Sequence, residues 1–259
     1  PIDLLSLLIE KAKVNNISVQ AVLHITGSTT VDGVKIDSLL PYENKSVMYD
    51  VATQLARNYE LDSILLDSYY SKRDTASYHE FVRYGGIGDY DQWLLDNATA
   101  TIDGIVQAIK ASQNSMAVGL VADSVWANAE ENPAGSQTKA EFTALQHGFA
   151  DTKAMIENKV VDFVNVKVTT SIEDPNIPFE TAVKWWNELC VKTNTPLYIT
   201  HSGEKANSKE YPGWSNYSEL ARQVAQASKL KPQYHGSAFS GYKNLMANME
   251  TCTKDLLKY

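Results

Sequence analysis

Apolar and polar positions along the chain follow two alternating patterns, one with helical spacing and one of short apolar runs. The segment from Leu4 to Val14 has helical spacing, and a β-rich run from Ile17 to Ile25 follows it. The same pairing recurs five times, which predicts six strands alternating with helices. The other predicted helices are Ser46–Asn58, Trp93–Ala111, Phe142–Asn158, Phe179–Val191 and Tyr217–Lys229, and their strands are Leu61–Leu66, Met116–Ala122, Val161–Val168, Leu197–Thr200 and Ser237–Phe239. A last helix is predicted near Leu245 to Leu257.

The predicted number of strands limits the α/β folds that the chain can adopt. A closed (β/α)8 TIM barrel needs eight strands, whereas the pattern supplies about six β/α units and opens inside a helix. An open six-stranded sheet, a barrel completed by another segment and the later part of a longer barrel all remain compatible with it. We favour the last, with residues 1–259 forming a single barrel domain. A missing N-terminal barrel segment or a partner chain would then cover its open edge, and the chain alone is expected to aggregate or pair.

The residues that follow the predicted strands include the side chains best suited to catalysis or ligand binding. Parallel strands all end at one face of a barrel, so these side chains are expected to share a rim. Asp67 and Tyr69 come directly after a buried apolar run. The same positions after other strands hold His24, Asp123, Trp126, Lys167, His201, Glu204 and Tyr242. Aromatic rings stack on sugars and carboxylates cleave glycosidic bonds, so this rim is compatible with a carbohydrate site.

Structural roles suit the same residues. Asp67 fits a role in capping the next segment or ordering its loop equally well. Lys167, placed deep at a strand end, is positioned to pair with Asp123 or Asp67, and such an ion pair would keep the acid from donating a proton. Mixed rims also occur in barrels with unrelated chemistry.

Composition and charge narrow the range of partners. The chain has 259 residues, 44% of them hydrophobic, and a net charge of -8, which disfavours nucleic acid and anionic membranes as partners. Membrane insertion is not expected, since no apolar run reaches spanning length. The five histidines lack ligand spacing, so neither a metal site nor a cofactor is predicted. Gly85-Gly-Ile-Gly88 lacks the strand that precedes a phosphate loop, and is expected to be a flexible turn within a long loop from Tyr69 to Tyr90.

Longer motifs sharpen the functional prediction. Asn58-Tyr-Glu-Leu-Asp-Ser-Ile-Leu-Leu-Asp-Ser-Tyr69 resembles an Asn-Tyr-x-Val-Asp-Gly-Ile-x-x-Asp-Asp-Tyr strand. Further matches lie in Ile2–Ala21, Val118–Asn128, Val161–Asn165, Lys184–Trp186, Leu197–Ile199 and Gly236–Phe239. In order and spacing, these motifs resemble the glycosyl hydrolase-like 10 family, bacterial (β/α)8-barrel proteins similar to family 10 glycosidases, of which some act on peptidoglycan glycan strands.

The resemblance implies a glycoside hydrolase with a glycan or peptidoglycan substrate and an extracellular or cell-envelope location. It also implies two further strands before Pro1 and a pocket position at His24. The departures concern the rim, because Ser68 replaces the second acid beside Asp67. The motifs after the fifth and sixth strands have become Val121–Ser124 and Val166–Thr169, and Thr200-His201 replaces a Gly-Gln pair.

Two functional hypotheses follow. In the first, Asp67 is a catalytic carboxylate whose partner is Asp123 or Glu204, and Tyr69 and Trp126 form part of a sugar platform. The remaining substrate contacts are expected from His24, Lys167, His201 and Tyr242. In the second, the domain is a catalytically degenerate module that binds glycan or serves a structural role in a larger envelope protein.

Two secondary expectations concern packing. His147 is expected to lie inside a helix. Adjacent positions of a helix cannot present both rings to one face, so at least one of Trp185 and Trp186 is expected to belong to the core.

Overall fold

The computed structural model describes residues 2–26, 29–31, 34–36, 45–215, 218–248 and 253–256. The chain forms two compact units. The first comprises Pro1–Val121 and His147–Asp162, and the second comprises Ala122–Gln146 and Phe163–Tyr259.

The first unit is a set of parallel strands with intervening helices. In chain order, the elements are α1 (Leu4–Val14), β1 (Gln20–His24), β2 (Thr29–Val31), β3 (Val34–Ile36), α2 (Lys45–Asn58), β4 (Ser63–Asp67), α3 (Thr75–Arg83), α4 (Tyr90–Ser112), β5 (Ala117–Asp123) and α5 (Thr152–Glu157). Strand β1 pairs with β4, and β4 pairs with β5, in both cases in parallel. Strands β2 and β3 form a separate antiparallel pair.

Local sequence explains the position of β4 in this unit. All five of its residues are buried, as expected for a central parallel strand that other parts of the protein cover on both faces. The apolar residues Ile64, Leu65 and Leu66 fill this layer, and Ile102 and Ile105 of α4 are fully buried in the core. Strand β4 therefore delivers Asp67 to its carboxyl end on a rigid, well-packed element.

The second unit repeats this arrangement around a central strand. The elements are β6 (Phe163–Val168), α6 (Phe179–Thr193), β7 (Leu197–His201), the 3-10 turns Gly203–Lys205 and Pro212–Trp214, α7 (Glu219–Ala227), β8 (Tyr234–Phe239), α8 (Tyr242–Ala247) and α9 (Lys254–Leu256). Strand β7 pairs in parallel with β6 and β8, with a register irregularity at Leu197/Tyr198. The core contains Val164, Val166, Phe179, Trp186 and Ile199.

The helix predicted over Phe142–Asn158 is wrong in its first half. Residues 142–151 form turns, because the N–H groups of Ala144 and Leu145 donate to Val125 O (3.1 Å) and Trp126 O (2.9 Å) instead of continuing a helix. Helix α5 begins only at Thr152, where the side chain of Asp151 caps it by accepting from Ala154 N at 3.0 Å. His147 is consequently exposed and outside any helix, so the prediction of a helical position for it is wrong.

The long loop predicted from Tyr69 to Tyr90 contains helix α3. A capping box starts this helix, since Asp74 accepts from Ser77 N (2.9 Å) and Ser77 Oγ from Asp74 N (3.2 Å). The glycine-rich stretch is the turn between α3 and α4, with φ values of 75° at Gly85 and 98° at Gly88 that favour glycine.

The predicted C-terminal helix also differs from the observed one. Helix α8 already starts at Tyr242 and ends at Ala247. Residues 249–252 and 257 of the predicted helix lie outside the described part of the chain.

Candidate active site

The first unit brings His24 and Asp67 together at the carboxyl ends of β1 and β4. The parallel register places the two residues directly opposite each other. His24 Nδ1 lies 3.8 Å from Asp67 Oδ2 and 3.0 Å from Ser68 Oγ. The Asp67 side chain is 9% exposed and that of His24 is 63% exposed. The pair thus joins an enclosed carboxylate to an imidazole that solvent, or a substrate, can reach.

The backbone at Ser68 makes this arrangement possible. Ser68 has a φ of 55°, in the left-handed region that residues other than glycine rarely adopt. In this conformation, Ser68 N–H donates to Asp67 Oδ1 at 2.7 Å, and Ser68 O accepts from Thr26 N–H at 2.8 Å and from the Thr26 hydroxyl. Backbone conformations of this kind cluster at functional sites. The sequence showed Ser68 only as a lost acid, and no local pattern signals its backbone conformation.

Tyr69 has a different position from the one a sugar platform requires. Its side chain is fully buried, and its hydroxyl donates to Val121 O at 2.9 Å. Its ring packs against that of Tyr70, with the centroids 4.8 Å apart. The structure therefore places no face of the Tyr69 ring on the surface, and Tyr69 serves to hold the chain that follows Asp67 against β5.

Glu204 lies just after β7 in the second unit. Its Oε1 accepts from Ser202 Oγ at 2.8 Å, and its Oε2 accepts from Ser240 Oγ. Partial burial by itself would raise the pKa of this carboxyl group. Hydrogen bonds from Ser240, its own N–H and Ser202, with the charge of Lys205, outweigh that cost and lower the pKa below its usual value. Glu204 is therefore held ionised, a state suited to a base or nucleophile and not to a proton donor.

Two glycines let the loops after β7 and β8 approach each other around Glu204. A Cβ atom at Gly203 would collide with Ser240 O, and one at Gly241 would lie 2.6 Å from Glu204 N. Gly241 also has a φ of 73°. A larger side chain at either position would force the backbones of these two loops apart.

His201, predicted to contact substrate, is fully buried in the second unit. Its ring lies between those of Phe179 and Phe239, with centroid distances of 5.5 and 5.3 Å and interplanar angles of 23° in both cases. Burial lowers the pKa of His201 to about 4, although the hydrogen bond with Gln223 opposes this effect. No part of the His201 ring is on the surface here, so its role in this structure is to organise the interior.

A chain of hydrogen bonds fixes the tautomer of His201. Gln223 Nε2 donates to Glu219 Oε1 (3.0 Å) and to Thr170 O (3.1 Å), which leaves Gln223 Oε1 to accept from His201 Nδ1 at 2.9 Å. On the other side, Nε2 of the neutral ring accepts from Ser237 Oγ at 2.7 Å. Sequence reasoning missed Gln223, since a glutamine within an amphipathic helix gives no signal of such a role.

Trp126 is also enclosed, because it stacks on another tryptophan. Its ring lies 5.6 Å from that of Trp185, with an interplanar angle of 14°. Trp185 meets Trp186 edge-on, and their indole N–H groups donate to Ala134 O and Ser124 O, both at 2.9 Å. The expectation of a core residue in this pair is confirmed by Trp186, which is fully buried. Trp126 is 4% exposed, so the half-buried Trp185 is the more accessible ring of the stacked pair.

The remaining predicted site residues are more open. Asp123, at the end of β5, and Lys167, in β6, are partly buried, and Tyr242 is exposed at the start of α8. Lys167 is in register with Thr200 of β7, whose hydroxyl donates to Asn165 Oδ1 at 2.6 Å. Lys167 thus lies on the same polar face of β6 as Asn165. Its pairing with Asp123 or Asp67 stays a prediction.

Two open cavities lie away from Asp67 in the first unit. Their volumes are about 350 and 390 Å³, and they adjoin α1 and the N-terminal end of β4, opposite to Asp67. Within the described residues, no group of three or more His, Cys, Asp and Glu side chains has an arrangement able to hold a metal ion. No helix in the described ranges is both long and apolar enough to cross a membrane.

Comparison with known proteins decides the family. Residues 11–216 match the model of the glycosyl hydrolase-like 10 family. The chain belongs to this family. Among curated relatives in this family, the glycosyl hydrolase YngK of Bacillus subtilis (strain 168) is 26% identical over 213 residues, which cover 78% of the chain and 42% of YngK. The glycosyl hydrolase DigH of Escherichia coli (strain K12) is 23% identical over 193 residues, which cover 72% of the chain and 44% of DigH. The chain thus spans less than half the length of either relative.

Solved structures support the same fold for this glycosyl hydrolase-like 10 chain. The α-L-fucosidase isoenzyme 2 of Paenibacillus thiaminolyticus aligns with 92% of the chain and 36% of its own, with a TM-score of 0.57 and 12% identity. The family 1 β-glucosidase of Thermotoga maritima aligns with 90% of the chain and 66% of its own, with a TM-score of 0.53 and 11% identity. Together with the parallel strands and alternating helices, these likenesses show a (β/α)8-type fold, of which the described residues supply six parallel strands with their helices.

Proposed function

We propose that this chain acts as a glycoside hydrolase on a polymeric glycan, with Asp67 as a catalytic carboxylate. The observation that carries the proposal is the position of Asp67, at the carboxyl end of a fully buried parallel strand and 3.8 Å from an exposed imidazole. Catalytic groups of α/β barrels lie at this end of their strands. Membership of a glycosyl hydrolase-like family supports the reaction type.

A second group is required, since glycosidic cleavage uses one group to protonate the leaving oxygen and another to act as nucleophile or base at the anomeric carbon. The carboxylates predicted for this role, Asp123 and Glu204, both belong to the second unit. Because Glu204 is held ionised, its suitable role is that of base or nucleophile. Of the three carboxylates Asp67, Asp123 and Glu204, only Asp67 carries the proposal.

The proposed substrate is the glycan of bacterial peptidoglycan, on which the protein would act at the cell envelope or outside the cell. The family and the two bacterial relatives, both named glycosyl hydrolases, support a glycan as the class of substrate. The choice of peptidoglycan and of the cell envelope follows from the resemblance of the sequence motifs. The net charge of -8 is compatible with a glycan substrate and disfavours a polyanion such as nucleic acid.

The test is the release of reducing ends from purified peptidoglycan and from a panel of neutral polysaccharides. The wild-type protein is compared with Asp67→Asn, which keeps the shape of the side chain but removes its charge. Asp96→Asn, at an exposed position of α4, is the matched control. Turnover that Asp67→Asn abolishes and Asp96→Asn retains supports the proposal. Glycan binding without turnover by all three proteins would instead favour the degenerate binding module.

A further inference from the structure

His24 is an ionisable neighbour of Asp67 in the first unit. Its Nδ1 atom faces Ser68 Oγ at 3.0 Å and Asp67 Oδ2 at 3.8 Å. Its Nε2 atom has no hydrogen bond to any described residue, and 63% of the side chain is exposed. One ring nitrogen is therefore held by the protein, while the other is available to a ligand.

This orientation suits the protonated ring. In an imidazolium both nitrogens are donors, so Nδ1–H would donate to Ser68 Oγ, and Asp67 Oδ2 lies 3.8 Å from the same nitrogen. The left-handed backbone of Ser68 keeps the hydroxyl on the His24 side of the strand end. The other proton, on Nε2, then points away from these partners.

We propose that His24 supplies the proton for glycosidic cleavage, in place of the second carboxylic acid that glycosidases ordinarily use. The inference rests on the proposed function. His24 Nε2–H gives its proton to the glycosidic oxygen as the bond between that oxygen and the anomeric carbon breaks, and the leaving sugar departs as an alcohol. A water molecule adds to the anomeric carbon and releases one proton to solvent, and the neutral imidazole takes one up from solvent. The cycle consumes one water and one glycosidic bond.

Asp67 and Ser68 have distinct parts in this scheme. The Asp67 carboxylate lies beside both the imidazolium and the positive charge that develops at the anomeric carbon, so it is expected to touch the reacting sugar. Ser68 acts through His24 and is a positioning residue. Exchanging Ser68 for alanine should therefore change the orientation of His24 without removing the proton donor.

The kinetic test compares His24→Ala with His79→Ala, an exposed histidine on α3 of the same unit. His24→Ala is expected to lower kcat for reducing-end release about 100-fold with a smaller change in KM, since a general acid contributes roughly 10²–10⁴-fold. Added imidazole should restore part of that loss, and should not restore activity to Asp67→Asn. His79→Ala should match the wild type.

A measurement independent of turnover tests the geometry. The NMR signals of the His24 ring in the intact protein are expected to shift in Asp67→Asn, because the carboxylate 3.8 Å from Nδ1 is replaced by an amide. In the Asp96→Asn control these signals should keep their wild-type positions. Unchanged His24 ring signals in Asp67→Asn would overturn the pairing on which the inference depends.

The outcomes separate the inference from the proposed function. No turnover by the wild-type protein would overturn both. Turnover lost in Asp67→Asn but retained in His24→Ala would overturn the role of His24 alone. The same holds if Asp123→Asn, and not His24→Ala, shows the loss of kcat, since the proton would then come from the second unit's carboxylate.

Discussion

At the scale of single residues, environment separates side chains that look alike in the sequence. His24 and His201 both follow predicted strands, yet one is exposed beside a carboxylate and the other lies fully buried between two phenylalanine rings. Which face of a strand a terminal residue occupies depends on register, and a shift of one position reverses it. For this reason, the sequence alone predicts a rim position for both histidines.

The buried His201 predicts an acid-sensitive fold. Its pKa is about 4 in the folded protein and about 6.5 when unfolded, so the unfolded state binds more protons between these values. The stabilising contribution is complete above about pH 6.5 and is lost as the pH falls towards 4, by roughly 3 kcal/mol in total. Urea unfolding at pH 7 and pH 4.5 measures this loss.

The variant His201→Gln should be less stable at pH 7 but should lose less of its stability at pH 4.5 than the wild type. His235→Gln, an exposed position, is the control and should keep the wild-type dependence. An equal loss of stability in His201→Gln and the wild type would show that another group dominates the acid response.

At the scale of elements, the loops after β7 and β8 depend on close backbone approach. Gly241→Ala should destabilise the protein by roughly 1–3 kcal/mol, because it combines a positive φ with a Cβ placed 2.6 Å from Glu204 N. Gly236→Ala is the matched control, since its Cβ would find the nearest atom at 3.6 Å. Thermal unfolding of both variants checks the difference, and equal midpoints would contradict the close approach.

Hydrophobic periodicity predicted most elements of this chain. Helix α1 has the predicted bounds, and α2 and α6 each match the predicted start to within one residue. The helix prediction for residues 142–151 was wrong. Hydrogen bonds from this segment to the backbone of Val125 and Trp126, in an earlier loop, override its local helical pattern. Tertiary contacts of this kind leave no trace in the spacing of apolar residues.

The candidate site was less predictable than the fold. The position of Asp67 follows from its place after an apolar run, since the ends of parallel strands can be predicted from the sequence. The burial of Tyr69 and Trp126 does not, because it depends on contacts with Val121 O and the Trp185 ring. The role of Ser68 depends on a backbone angle that no residue pattern indicates.

At the scale of the whole molecule, the chain carries an exposed apolar surface on α1 and β1. Leu4, Leu7 and Leu8 of α1 are 74%, 43% and 56% exposed, and Val22 of β1 is 49% exposed. Exposed apolar side chains in this number favour association. We expect this chain on its own to aggregate or to pair with a second copy through this surface.

This expectation is testable by light scattering coupled to size-exclusion chromatography. Leu4→Lys with Leu8→Lys, one turn apart on the same helix face, should reduce association. Val82→Lys, at a residue that is 60% exposed on α3, should leave association unchanged. A wild-type protein that is monomeric and melts cooperatively at the same concentration would contradict the prediction.

Asp67 is proposed to perform glycoside hydrolysis, and the most direct test is kcat for reducing-end release from one peptidoglycan preparation. Wild type, Asp67→Asn and Asp96→Asn are compared after circular dichroism has shown all three to be folded. We expect kcat to fall about 10³-fold or more in Asp67→Asn, as when a group acting in the transition state is removed, and to keep its wild-type value in Asp96→Asn. Equal turnover by wild type and Asp67→Asn would contradict the claim.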